Sequence, residues 1–171
     1  PPLDTLALPH AFYSDDDIKP RLIYVEASRG CPFKCEFCLS ALDKTSRPFP
    51  EQLFMESLEQ LYRRGVRHFK FVDRTFNLNP QQSIKILNFF LDRLDDQLFL
   101  HFEVIPDHLP QSLKAVLSQF PAGSLQLEIG IQSFNPEVQA IISRKQDNEK
   151  SRENLRWLRQ ETQAHLHADL I

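Results

Sequence analysis

Gly30-Cys31-Pro32-Phe33-Lys34-Cys35-Glu36-Phe37-Cys38 carries all three cysteines of the 171-residue chain and follows a β-rich run, Arg21-Leu22-Ile23-Tyr24-Val25-Glu26-Ala27. Three thiolates in so short a loop repel one another, and a strongly positive centre is what can hold them in common. Structural zinc takes four protein ligands, so three cysteines must borrow a fourth or leave one coordination position open. A [4Fe-4S] cluster held at three irons by Cys31, Cys35 and Cys38 would keep its fourth iron free for an added ligand. A zinc knuckle or a redox-sensitive thiol group is the competing reading of the same spacing.

Outward from this loop the chain alternates strands and helices. Residues 1–20 hold four prolines and the triplet Asp15-Asp16-Asp17 without periodicity, which predicts a linker ahead of a core over 21–171. Pro50 opens an amphipathic helix with Leu53, Phe54, Leu58, Leu61 and Tyr62 on one face and Gly65 as its stop. A strand over 66–73 follows, then a helix capped by Asn79-Pro80 with Ile84, Ile86, Leu87, Phe90, Leu91 and Leu94 as its apolar face. Further strands are predicted at 98–104, 125–132 and 164–171, and further helices at 109–120, 135–143 and 147–162. Five strands alternating with helices predict right-handed βαβ units and a parallel sheet, most of a (β/α) barrel.

The strands are not apolar on both faces, as parallel strands usually are. Alternation groups Tyr24 with Glu26, His68 with Lys70, His101 with Glu103, Gln126 with Glu128 and Gln132, and His165 with His167 and Asp169. The apolar residues between them must meet the helices, so the polar set is expected to face the barrel axis. The deeper members, Glu26, Lys70, Glu128 and the histidines, are expected to satisfy one another as an internal charged layer. Cys31, Glu103, Gln132 and Asp169 fall at the carboxyl ends of strands, where barrel active sites lie.

Cys31-x-x-x-Cys35-x-x-Cys38, with Phe37 before the last cysteine, resembles the signature of the radical S-adenosylmethionine (SAM) superfamily. The resemblance implies an enzyme in which the amino and carboxylate groups of SAM chelate the open iron of a [4Fe-4S] cluster. One electron then breaks the sulfonium to give a 5′-deoxyadenosyl radical. The segment Gly130-Ile131-Gln132-Ser133-Phe134-Asn135-Pro136, followed by Ser143-Arg144-Lys145, is similar to the oxygen-independent coproporphyrinogen oxidase branch of that superfamily. By that likeness Gln132 would touch the SAM ribose, Arg144 the methionyl carboxylate, Glu103 SAM itself and Asp169 the ribose hydroxyls, with Phe37 near adenine. The chemistry suits the groups: amide and carboxylate acceptors fit a diol, and a guanidinium fits a carboxylate. In place of the family's Gly-Gly-Glu-like segment stands Asp73-Arg74-Thr75-Phe76-Asn77, a variant resembling the cobalamin-associated subgroup, and Thr75 or backbone carbonyls near Asp73 become candidates for holding the SAM amino group.

The resemblance implies a six-unit TIM-like barrel, of which about five units are present and the last strand is missing, so the chain is expected to be a piece of a longer protein. It also implies a cobalamin-binding domain upstream, an electron donor such as flavodoxin or ferredoxin, and a substrate that these residues do not name. A methylase or cyclase of the cobalamin subgroup is the reading preferred, with a coproporphyrinogen-oxidase-like enzyme and a non-catalytic zinc or iron–sulfur module as alternatives. Twenty Lys and Arg against 23 Asp and Glu show no basic excess of the kind that marks nucleic-acid binding. An odd number of clustered cysteines and the lack of a long apolar run predict a reducing compartment, the cytoplasm, and no membrane span.

Overall fold

A computed structural model of the protein describes residues 2–18 and 21–170. The segment ahead of the sheet is less irregular than its composition suggests. Leu3–Thr5 and Pro9–Phe12 form 3-10 turns and Asp15–Ile18 a short helix, α1, with Leu3, His10 and Ile18 buried. His10 Nδ1 lies 2.5 Å from the Ser57 hydroxyl and the ring meets Phe54 edge-on at 6.4 Å. Scattered contacts without a period fix this segment, among them Tyr13 Oη donating to the Tyr24 carbonyl at 3.1 Å and Arg64 pairing with Asp15 at 3.0 Å, so no pattern in its sequence announces them. Residues 1, 19 and 20 of the expected linker lie outside the described residues.

The first strand is short, β1 (Ile23–Val25), rather than the seven-residue run expected. A two-residue antiparallel ribbon absent from the sequence reading follows, β2 (Ser28–Arg29) against β3 (Arg47–Pro48), and brackets the cysteine loop. Then come α2 (Glu51–Arg63), β4 (His68–Phe71), α3 (Pro80–Leu91), β5 (Phe99–Val104), α4 (Gln111–Leu117), β6 (Leu125–Gln132), α5 (Pro136–Ile141), α6 (Asn148–Glu161) and β7 (His165–Leu170). Helix starts follow the expected capping chemistry. The Asn79 side chain accepts from Gln82 N–H, Asn135 from Glu137 and Val138 N–H, and Asp147 from Lys150 N–H. α4 is shorter than its periodicity suggests, because Pro110 sets its start and the last turn loosens after Leu117, and α3 ends at Leu91, which leaves Leu94 of its expected apolar face beyond the helix and exposed.

β1, β4, β5, β6 and β7 pair in sequence order, all parallel, which is the arrangement of a partial (β/α) barrel of the TIM-like type. Register places the polar residues side by side across the sheet: Tyr24 beside Lys70, Lys70 beside His101, His101 beside Gln126, and Gln126 beside His165. The next row sets Glu103 beside Glu128 and Glu128 beside His167.

The opposite face is the core. Ile23, Val25, Phe69, Phe71, Leu100, Phe102, Leu125, Leu127 and Ile129 are buried against Phe54, Leu58, Ile86, Leu87, Phe90 and Leu113 of the helices. Phe71 and Phe76 both lie against Phe102, at ring separations of 4.5 and 4.0 Å. Each such side chain contributes about 1.5 to 3 kcal/mol of burial, and this packing fixes the height of the strand ends that carry the polar residues. No helix among the described residues is long and apolar enough to cross a membrane.

Candidate functional site

The cysteine loop leaves β2 through Gly30, whose φ of +91° lies in the left-handed region. A side chain there would strike the Thr45 carbonyl oxygen, 2.0 Å from the position of a Cβ. The loop is pinned on both sides: Cys31 N–H donates to the Asp43 carbonyl at 3.2 Å, and Glu36 N–H donates to the Ile142 carbonyl at 3.1 Å. Ser143 Oγ, on a residue also of positive φ, donates to Glu36 Oε1 at 2.9 Å. Cys31 and Cys35 are buried, Cys38 is partly exposed, and all three are free thiols.

A cavity of about 240 Å³ opens at the carboxyl ends of the strands. Cys31, Cys35, Cys38, Phe37, Thr75, Glu103, Gln132, Arg144 and Asp169, every residue the sequence put forward, line it. Residues the sequence reading did not single out line it too: Arg74, Asp107, Lys145 and Gln146.

Gln132 ends β6 with φ +67°, where the register with β7 slips between Gly130 and Gln132. Backbone held in that region is uncommon for a residue with a side chain, and such conformations cluster at active sites and ligand clamps. The missing side chain at Gly130 matters here, since a Cβ would come within 3.1 Å of Gln132 Nε2. The Arg144 guanidinium is not a free surface charge. Its Nη2 donates to the Gly130 carbonyl, its Nη1 lies 3.8 Å from Cys35 Sγ, and Gln146 Oε1 accepts from Nε at 3.3 Å and Nη2 at 3.1 Å. Gln146 is in turn held by Asn148, at 3.2 Å.

The turn after β4 braces the cavity. Asp73, 3% exposed, accepts from Ala27 N–H at 3.0 Å and from both Ser28 N–H and Ser28 Oγ, tying β4 to the approach of the cysteine loop. Arg74 Nη1 donates to both oxygens of Glu103 at 2.9 Å. Asn77, fully buried, donates to the Ile105 carbonyl at 2.8 Å and accepts from Ile105 N–H at 2.7 Å, fixing the segment beyond β5. These contacts join residues 28 to 46 positions apart, so no local spacing betrays them.

Burial pushes the Asp73 carboxyl up to about 6, against the hydrogen bonds from Ser28 and Ala27 that pull it down. A carboxyl whose folded value lies above its unfolded one binds its proton more tightly in the native state. Its contribution to stability is therefore full at low pH and is lost as pH rises from about 4 through about 6. The shift corresponds to a loss on the order of 3 kcal/mol. Chemical denaturation of the wild type and Asp73→Asn at pH 4 and pH 7 should show the wild type's advantage shrinking by about that amount, and an unchanged difference would contradict this reading.

Below the cavity mouth the expected charged layer is smaller than foreseen. Glu128 pairs with His101 Nε2 at 2.9 Å and with Lys70 Nζ at 3.4 Å. Those partners hold the Glu128 carboxyl below its ordinary value against burial, which acts the other way and is the largest single influence. Burial, reinforced by the Lys70 charge, lowers His101. Glu26 does not join this layer: Arg29, three residues on, takes it at 3.0 Å. His68, His165 and His167 are exposed, because β4 begins at the sheet rim and β7 pairs only with β6 among the described residues. His167 instead lies 3.5 Å from Asp169.

Two features of the cavity suit an iron–sulfur cluster and an adenosyl ligand. Burial pushes the Cys31 thiol up, and negative charge on Cys38 and Cys35 pushes it the same way, while Arg144 pulls it down. A sulfur placed as Cys31 is makes a poor anion until a positive centre joins it. No three His, Cys, Asp or Glu side chains among the described residues converge as they would on one metal ion; ligands to three separate irons need not do so. Second, Thr75 Oγ1 is buried at the cavity wall without a hydrogen-bond partner, a position that a ligand group can satisfy.

The comparisons with known proteins fit this geometry. The family model described as the radical SAM superfamily matches residues 25–167. The radical SAM methyltransferase TsrM of Kitasatospora setae, solved with cobalamin and a [4Fe-4S] cluster bound, superimposes with a TM-score of 0.71 at 17% identity, over 87% of this chain and 30% of that one. OxsB, a cobalamin-dependent SAM radical enzyme solved with aqua-cobalamin, gives 0.69 at 19% identity over 86% of this chain and 23% of that one. An uncharacterized methyltransferase, PH0819, of Pyrococcus horikoshii is 42% identical over 65 residues, 36% of this chain and 14% of that protein. The chain thus spans less than a third of the length of each of these relatives. With the fold, the cysteine loop and the family match in agreement over most of its length, the chain belongs to the radical SAM superfamily.

Proposed function

We propose that this chain is the core of a cobalamin-dependent radical SAM methylase or a related enzyme, holding a [4Fe-4S] cluster through Cys31, Cys35 and Cys38 and SAM across the strand ends. The observation that carries this reading is the single cavity that these cysteines share with Phe37, Thr75, Glu103, Gln132, Arg144 and Asp169. When bound, cluster and SAM together supply a one-electron cleavage of the sulfonium that yields methionine and a 5′-deoxyadenosyl radical.

The chain's own residues bind and orient. Arg144, already fixed by Gly130 and Gln146, offers its charge to the methionyl carboxylate. Thr75 offers its unpartnered hydroxyl to the amino group. Gln132 and Asp169 offer acceptors to the ribose, and Phe37, half exposed at the rim, offers a ring face to adenine. The cobalamin assignment is supported by the resemblance of the Asp73–Asn77 turn and by the likeness to TsrM and OxsB, both solved with cobalamin, and the cofactor would sit on a domain outside these residues.

Anaerobic reconstitution is expected to give about four irons and four sulfides per chain. Reduction in the presence of SAM should then release 5′-deoxyadenosine. Stoichiometric zinc without sulfide would overturn the cluster, and a loaded cluster that leaves SAM intact under reduction would overturn the cleavage.

A further inference from the structure

The turn Asp73-Arg74-Thr75-Phe76-Asn77 commits all its side chains but one to the protein. Asp73 holds Ala27 and Ser28, Arg74 holds Glu103, Phe76 stacks on Phe102, and Asn77 holds Ile105. Thr75 alone keeps an unpartnered hydroxyl. Within this set Arg74 differs from the rest, because its partner is itself a cavity residue expected to meet the ligand. Glu103 is mostly buried, with 17% of its side chain exposed, and Arg74 is its only ion-pair partner among the described residues. One guanidinium nitrogen at the same distance from both carboxylate oxygens fixes where that carboxylate sits and the direction in which it points.

A glutamate left to itself has several rotamers to lose on binding, and that loss weakens affinity. A carboxylate already locked by a cation has met that cost before the ligand arrives. We propose that Arg74 is a positioning residue for SAM: by gripping both oxygens of Glu103 it presents that carboxylate in one orientation, and SAM affinity depends on the pair rather than on Glu103 alone. This rests on the cavity being the SAM site.

The test is equilibrium dialysis of SAM against the anaerobically reconstituted, unreduced protein, so that affinity is read without turnover. Arg74→Gln should weaken SAM binding roughly tenfold. Arg74→Lys should recover most of that loss, since one ammonium can bridge both oxygens as Nη1 does. Combined with Glu103→Gln, Arg74→Gln should add little beyond the worse single variant. Arg74→Met, which keeps the aliphatic stem, replaces the glutamine variant if that one fails to load its cluster. Full losses that add in the double variant would mean that Arg74 meets the ligand by itself, and would overturn the proposal. Wild-type affinity in Arg74→Gln with weakened binding in Glu103→Gln would also overturn it while sparing the SAM site. Wild-type affinity in Glu103→Gln would remove Glu103 from the SAM site and take the proposal with it.

Discussion

Cys35→Ala is expected to leave the chain folded and unable to hold its cluster. The sulfur is buried at the cavity wall, and its removal leaves a void about the size of a methyl group, which costs about 1 kcal/mol. Its chemical loss is of another order. Three cysteine ligands would already leave one iron without protein support, and two would leave half the cluster unheld. Iron and sulfide after reconstitution should fall well below the wild-type ratio, and 5′-deoxyadenosine should fall to the level of a reaction without protein. Circular dichroism matching the wild type would show that the fold survives. A variant that keeps a full complement of iron and sulfide would remove Cys35 from the ligand set.

Gly30→Ala is expected to damage the same centre without touching a ligand. The residue sits at φ +91°, and the added carbon would meet the Thr45 carbonyl oxygen at 2.0 Å and Asp43 Cγ at 3.2 Å. The obstacle is backbone, and it is not free to yield. Asp43 accepts from Thr45 Oγ1 at 2.7 Å and from Arg47 Nη2 at 3.1 Å, while Arg47 pairs with Arg29 in the small ribbon. Relief therefore means moving Cys31, whose N–H is bound to the Asp43 carbonyl. Left-handed backbone strain and overpacking together cost about 2 to 5 kcal/mol. Gly65 supplies the control, because its φ is +98° and nothing lies within 4 Å of the added carbon. Gly65→Ala should cost only the backbone share, about 1 to 2 kcal/mol, and should load its cluster normally. Equal denaturation midpoints for the two variants would show that the contact with Thr45 is not binding.

Much of this arrangement is legible before any coordinates are in hand. The cysteine spacing marks the loop, the Asn79-Pro80 and Asn135-Pro136 pairs mark helix starts, and alternation separates Lys70, His101 and Glu128 from the core face. Those signals are local, and local chemistry decides caps and faces. What the sequence hides is long-range. Nothing near Asp73 says that it will bind Ser28, nor near Arg74 that it will take Glu103, since each partner becomes a neighbour only when parallel strands align. The two-residue ribbon of β2 and β3 is too short for any period to appear, and His10 is buried by one hydroxyl and one ring rather than by a stripe. Glu26 was misplaced for a simpler reason: strand alternation says which face a residue takes, and a near neighbour such as Arg29 can claim it first.

The vacancy in the cysteine ligand set is the claim on which the functional account turns, and electron paramagnetic resonance of the reduced, reconstituted protein reads it directly. The account predicts a [4Fe-4S]⁺ signal whose g values change when SAM is added, because the unprotected iron acquires the ligand's amino and carboxylate groups. A signal indifferent to saturating SAM, or a centre whose every metal site is closed by protein side chains, would contradict it.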